Sequence, residues 1–216
     1  MHEILKEYQV VLIDKKQKND EAILTSSLWE KANCLTDFCS PWKSGSFSKI
    51  EFRALHDLEN FYFSFRIFDT DIYIDQKDNS FLSIGNSDRV ELFFRTNESL
   101  NPYYCLEMDT SGRIMDFKAL PEKNFDFNWK WPKKDIEVKA SKDEISFMVE
   151  GKISIQSLKD LNLIQNNTIE AGVFRAKFSL VENLQYEPTW ISWVNPTTET
   201  PNFHIASSFG KFVLMK

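Results

Sequence analysis

The chain has 216 residues, a formal net charge of −6 and a pI near 5.2, which excludes the concentrated basic face that a nucleic-acid surface needs to displace counterions. Its 19 Phe against 6 Gly and 7 Pro describe a filled globular core rather than a linker or a disordered segment. A core of this size needs neither metal nor disulfide. Cys34, Cys39 and Cys105, an odd set without CxxC or zinc-spaced His, are expected as reduced thiols, with a Cys34–Cys39 bridge the alternative.

No segment reaches the ~20 apolar residues of a membrane span, so no membrane insertion is expected. Met1 to Tyr8 carries acidic residues and lacks a signal peptide's apolar stretch. As written, the chain reads as cytoplasmic; removal of a leader would make it secreted or periplasmic. Lys133-Lys134 is the densest basic spot, and Asn97 and Asn166 fit N-x-(S/T) at a rate expected by chance.

In chain order, Tyr8, Val10 and Leu12 form a short apolar alternation, followed by a solvated polar run from Asp14 to Asp20. Over Glu21–Ala32, the spacing of Leu24, Leu28 and Ala32 predicts a short helix that sets Trp29 against a sheet. From Ile50 the period becomes two: Ile50, Phe52 and Ala54, then Phe61, Phe63, Phe65 and Ile67, predict a hairpin. The alternation returns at Val90–Phe94, Tyr104–Met108, Ile145–Val149 and Ala171–Val173, with turn residues between. A second short helix is predicted at Ile155–Leu161, capped by Ser154. The pattern predicts an all-β fold, an antiparallel β-sandwich (jelly-roll or immunoglobulin-like) with one or two short helices, and residues 1–216 as one domain.

Catalytic signatures are missing. The chain offers His2, His56 and His204 but no G-x-S-x-G and no H-E-x-x-H, so a non-enzymatic role is expected. Asp69, Asp71 and Asp75 fall on one side of an extended run and form a calcium candidate. They lack the Gly and the terminal Glu of an EF-hand loop, and a solvated acidic loop is the plainer reading. No other cofactor is expected. Phe125, Phe127, Trp129 and Trp131 share one side of an extended run, more in the manner of a core than of a binding strip, with Trp131 before Pro132 the most exposed.

The tail is the most informative stretch. Trp190-Ile-Ser-Trp193-Val-Asn-Pro196 is followed by Phe203-His204 and then by Phe209-Gly-Lys-Phe-Val-Leu214. Upstream stand Asp88-Arg-Val-Glu-Leu-Phe and, near the start, Trp29-Glu-Lys-Ala32. In this order the motifs resemble carbohydrate-binding module family 9, with relatives among DOMON-like sandwiches.

The resemblance implies a β-sandwich that binds a mono- or oligosaccharide without catalysis, in association with glycoside hydrolases. Pyranose rings present apolar C–H faces to aromatic planes, and polar groups nearby take the hydroxyls. In the family two tryptophans clamp a terminal sugar; the corresponding positions here are Gly85 and Phe203. By the same resemblance Asp88 and Glu91 bond sugar hydroxyls, Asp88 as a turn residue being the alternative. His204 sits beside the clamp, Trp131 stands in for the missing wall, Trp193 is the strand tryptophan and Trp190 is a candidate contact. Related sandwiches hold b-type haem between a Met and a His, here Met108 and His204, although Met108 reads as core. A sugar site that has decayed into an interaction domain is the remaining alternative.

Overall fold

The computed structural model describes residues 5–14, 23–24, 26–181 and 185–216. Among them run β1 (Glu7–Leu12), α1 (Ser26–Trp29), β2 (Ile50–His56), β3 (Asn60–Ile67), α2 (Phe81–Gly85), β4 (Arg89–Arg95), β5 (Tyr103–Asp109), β6 (Ile114–Leu120) and β7 (Asn124–Asp126). There follow β8 (Ile136–Lys142), β9 (Phe147–Ser154), α3 (Ile155–Asp160), β10 (Ile164–Gln165), β11 (Thr168–Leu180), β12 (Tyr186–Ser192) and β13 (Gly210–Leu214).

The strands order as β7-β6-β5-β4-β11-β13-β1-β2-β3-β9-β8, with β10 and β12 also paired to β11. The result is a mixed sheet curled into a sandwich. Among the described residues its one departure from an antiparallel arrangement is β1: Glu7–Val10 run parallel to β13 and Val11–Leu12 parallel to β2. A single strand thereby hands one layer over to the other. Long β11 carries β4 on one edge and, on the other, β13 and then β12.

Period two explains the core. Val90, Leu92, Phe94, Leu106 and Met108 face the space between the layers, where they meet Phe52, Phe61, Phe63, Phe65, Trp193 and Phe212. The opposite face of β4, β5 and β11 is also covered: Phe93, Tyr103, Cys105 and Phe174 lie under Phe203 and Phe209. A third cluster packs Leu24, Leu28 and Trp29 on Leu55 and Tyr62. The high Phe count fills two interiors, one between the layers and one between the first layer, which contains β4, β5 and β11, and its overlying loops.

Several sequence expectations change. The helix predicted over Glu21–Ala32 is the single turn α1; residues 15–22 and 25 lie outside the described residues, as does His2. The second helix stands as α3, with Ser154 Oγ accepting from Ser157 N. Ile145 is exposed, and β9 starts at Phe147. The three cysteines are free.

The aromatic run does not share a face. Phe125 and Phe127 pack on the outer cluster, whereas Trp129 and Trp131 pack on the inner one. The chain turns between them, where Asp126 Oδ1 accepts from Asn128 N and Trp129 N. Trp131 is therefore 3 % exposed rather than the outermost ring. Its amide donates to Asp116 Oδ2 at 2.6 Å and its indole to Ser157 Oγ at 3.0 Å.

Candidate functional site

β4 places Arg89, Glu91 and Phe93 on the outer face of the first layer, and β5 places Glu107 there too. The register sets Glu91 directly opposite Glu107, a like-charge cross-strand pair that is repulsive unless something neutralises it. Arg89 does so. Its Nε donates to Glu107 Oε2 at 2.6 Å and lies 2.9 Å from Glu91 Oε1, and its Nη1 donates to Gly85 O at 2.5 Å. The single Nε–H points at Glu107. Glu91 Oε1, although close, therefore remains without an aligned donor. All three side chains are buried.

Above this floor lies a hollow of about 300 Å³, at the small end of the ~300–1,000 Å³ range of ligand pockets. Its walls are aromatic: Trp42, Phe125, Trp190, Phe203 and His204, with Pro201, Asn202 and Lys123 completing the lining. Trp190 pairs through Ala176 with Arg89 in one cross-strand row. The small alanine leaves room for the guanidinium to sit 5.5 Å from the Trp190 ring. Gly172 does similar work for the back wall. A Cβ there would meet the Phe174 ring at 2.3 Å, and Phe203 stacks on Phe174 at 4.1 Å.

Two loops close the site. The mutual backbone pairing of Cys39 and Ser192 fixes the start of the 40–48 segment, and Trp42 Nε1 donates to Thr198 O at 2.8 Å. Asn202 Oδ1 accepts from His204 N, and Ser207 Oγ donates to Pro196 O.

The carboxylates and the imidazole are displaced in opposite senses. Burial, reinforced by the charge of Glu107, raises Glu91 to about 8, and burial raises Glu107 as well. Burial, with Lys123 and Arg89 nearby, pushes His204 down to about 3. At neutral pH Glu91 thus holds a proton and the His204 imidazole is neutral, so the site offers both donors and acceptors.

A pH test follows. Between about 4.5 and 8 folded Glu91 holds a proton that the unfolded chain has released, so rising pH lowers stability across that window. His204 acts oppositely, but below about 6.5, where the unfolded chain takes up a proton that the folded one refuses. His56 shifts in the same direction as His204. Thermal melts should therefore show Tm falling by a few °C from pH 6.5 to 8, and Glu91→Gln should flatten that slope.

The hollow gathers four residues expected from sequence: Glu91, Trp190, Phe203 and His204. Phe203 is only 6 % exposed, a back wall rather than an open platform. Two other expected residues are elsewhere. Trp131 is in the inner core, and Asp88 is fully buried on the opposite side of the sheet, accepting from Phe178 N and Lys177 Nζ. The reason is parity. Residues three apart on a strand face opposite ways, so Asp88 shares its side with Val90, not with Glu91.

Asp69, Asp71 and Asp75 do not converge, and the described residues contain no group of three potential ligands that could hold a metal. Asp69 is taken by Arg175, Asp71 is exposed, and Asp75 Oδ1 accepts from Lys77 N. Nor can Met108 and His204 share a haem: Met108 faces the interior of the sandwich and His204 lies over the outer face of the same sheet. Sequence reasoning missed Trp42, Arg89, Glu107, Lys123 and Asn202. Glu107 carried a signal, since the core alternation Tyr104-Leu106-Met108 puts it on the other face.

The architecture is thus a β-sandwich with an aromatic-walled, polar-floored hollow on one sheet face. The chain belongs to the carbohydrate family 9 binding domain-like family, whose model matches residues 23–216. No curated protein matches the sequence. Among solved structures, a candidate carbohydrate-binding protein from Bacteroides uniformis is similar at 15% identity and TM-score 0.70, over 98% of this chain and 100% of that one. A carbohydrate-binding module of family 9 from Caldicellulosiruptor kristjanssonii, in complex with glucose, aligns at 13% identity and TM-score 0.61, over 97% and 96%. Its cellotriose complex aligns at 13% identity and TM-score 0.59, over 97% and 93%. At these identities the likenesses establish the fold.

Proposed function

We propose that this protein binds a mono- or oligosaccharide, without catalysis, in the hollow on the outer face of its first layer. The observation that carries this reading is the pairing of aromatic walls, Trp42, Trp190 and Phe125, with the Arg89–Glu91–Glu107 floor. A pyranose ring presents apolar faces for the former and hydroxyls for the latter. That sandwiches of this fold hold glucose and cellotriose makes these sugars the first to try. Such a module would hold a glycan for a partner glycoside hydrolase.

Two carboxylates in a sugar site invite a hydrolytic reading, because glycosidases flank the scissile bond with a carboxyl pair. The binding reading is supported by their placement: Glu91 and Glu107 stand side by side on adjacent strands, against one guanidinium. The test is titration of the folded protein with a panel of mono- and oligosaccharides, followed by tryptophan fluorescence. A saturable change is expected with at least one sugar, and Trp190→Ala should weaken it by about 30-fold, as the loss of an aromatic anchor worth ~2 kcal/mol does. A flat response of folded protein across the whole panel would sink the reading.

A further inference from the structure

The hollow is continuous with a second aromatic surface. Phe125, one of its walls, lies 5.9 Å from Phe127, and Phe127 stacks on Phe81 at 4.6 Å with an interplanar angle of 14°. Phe117 supports both Phe125 and Phe127 from below, at 5.1 and 4.9 Å. Phe81 opens α2, a helix whose Ser83 and Ile84 are buried while Phe81 is 46 % and Leu82 64 % exposed. The last residue of that helix, Gly85, gives its carbonyl to Arg89 on the floor of the hollow. The exposed ring is therefore held in fixed relation to the site, on a short capped helix rather than on a loose loop.

An isolated exposed apolar side chain needs no explanation, whereas a contiguous exposed patch beside a polar-floored pocket marks a contact surface. Phe127 covers one face of Phe81, and the ring remains nearly half exposed. We propose that Phe81, backed by Phe127, is a stacking platform for a further ring of a ligand whose terminal sugar occupies the hollow. The site then selects a saccharide chain over the free monosaccharide. This inference rests on the reading of the hollow as a sugar site. The occupant is the continuation of that same ligand, because the aromatic row starts at the wall of the hollow and runs outward without a break.

The experiment compares glucose, xylose, galactose and mannose with their β-linked trisaccharides by calorimetric titration, in the intact protein and in Phe81→Ala and Phe81→Tyr variants. For whichever sugar binds, the trisaccharide should bind more tightly than the monosaccharide. Phe81→Ala should lower the ratio of the two affinities about tenfold, the size of one stacking contact, and Phe81→Tyr should keep it. Phe81 is exposed, and alanine is a strong helix former, so the melting temperature should stay within a few degrees and a lost ratio cannot be ascribed to unfolding. Equal affinity for the two ligands, or a ratio unchanged in Phe81→Ala, would overturn the platform while leaving the hollow intact. No binding of any of the eight sugars would overturn the hollow itself, and the platform with it.

Discussion

Replacing Arg89 with methionine should cost about 3–5 kcal/mol of stability, the usual result of removing one member of a buried charge cluster, and should abolish sugar binding. Glu91 and Glu107 face each other in register, and Arg89 is the cation between them. Without it Glu107 loses the cation that its carboxyl accepts from and is left buried against Glu91, and the Gly85 carbonyl that tethers α2 loses its donor. Arg89→Lys should not rescue binding, because one ammonium cannot reproduce the planar fork that bonds the Glu107 carboxyl and the Gly85 carbonyl at once while keeping its charge beside Glu91. Urea unfolding measures the first effect, and sugar titration of the remaining folded protein the second. An Arg89→Met protein with wild-type stability would show that the two glutamates do not form a charged cluster.

Asp69→Ala should be comparably damaging, by about 3–5 kcal/mol, with no direct effect on the hollow. Arg175 is 1 % exposed, its Nη2 bonds Asp69 Oδ2, and its Nε and Nη1 have no hydrogen-bond partner among the described residues. Deleting Asp69 leaves the buried guanidinium without its hydrogen-bonded counter-ion, with the Phe147 ring 5.7 Å away and the buried Asp88 as remaining sources of attraction. Asp69→Ala combined with Arg175→Met should recover much of the loss, since removing both charges is far cheaper than removing one. Urea midpoints of the two single variants and of the double variant give the coupling. A double variant as unstable as the sum of its parts would contradict the account of this end of the sandwich.

The strands were legible because their alternation is strong: Val90-Leu92-Phe94 and Tyr104-Leu106-Met108 specify both the strand and its inward face. So were four of the eleven residues that line the hollow, Glu91 in its strand motif and Trp190, Phe203 and His204 in the tail. What stayed hidden depends on contacts between segments far apart in the chain. Nothing near Trp42 announces that it will close over the 196–204 loop, since that follows from Cys39 pairing with Ser192 and from the indole's bond to Thr198. The opposition of Glu91 and Glu107 requires the register of the β4–β5 hairpin, which no local pattern sets. Asp88 is the reverse case. Its placement was readable from strand parity, and proximity in the motif obscured it. Trp131 misled because the proline after it suggests a rim, whereas partners from β6 and α3 draw it inside.

The central claim is that sugar enters the hollow between Trp42 and Trp190, and the six tryptophans of the chain provide a direct readout in their indole N–H resonances. In a nitrogen–proton correlation spectrum recorded during titration with glucose and then cellotriose, the signals of Trp42 and Trp190 should move progressively. Those of the core residues Trp131 and Trp193 should stay fixed. Movement confined to other tryptophans, or none at saturating sugar, would contradict the assignment of the hollow.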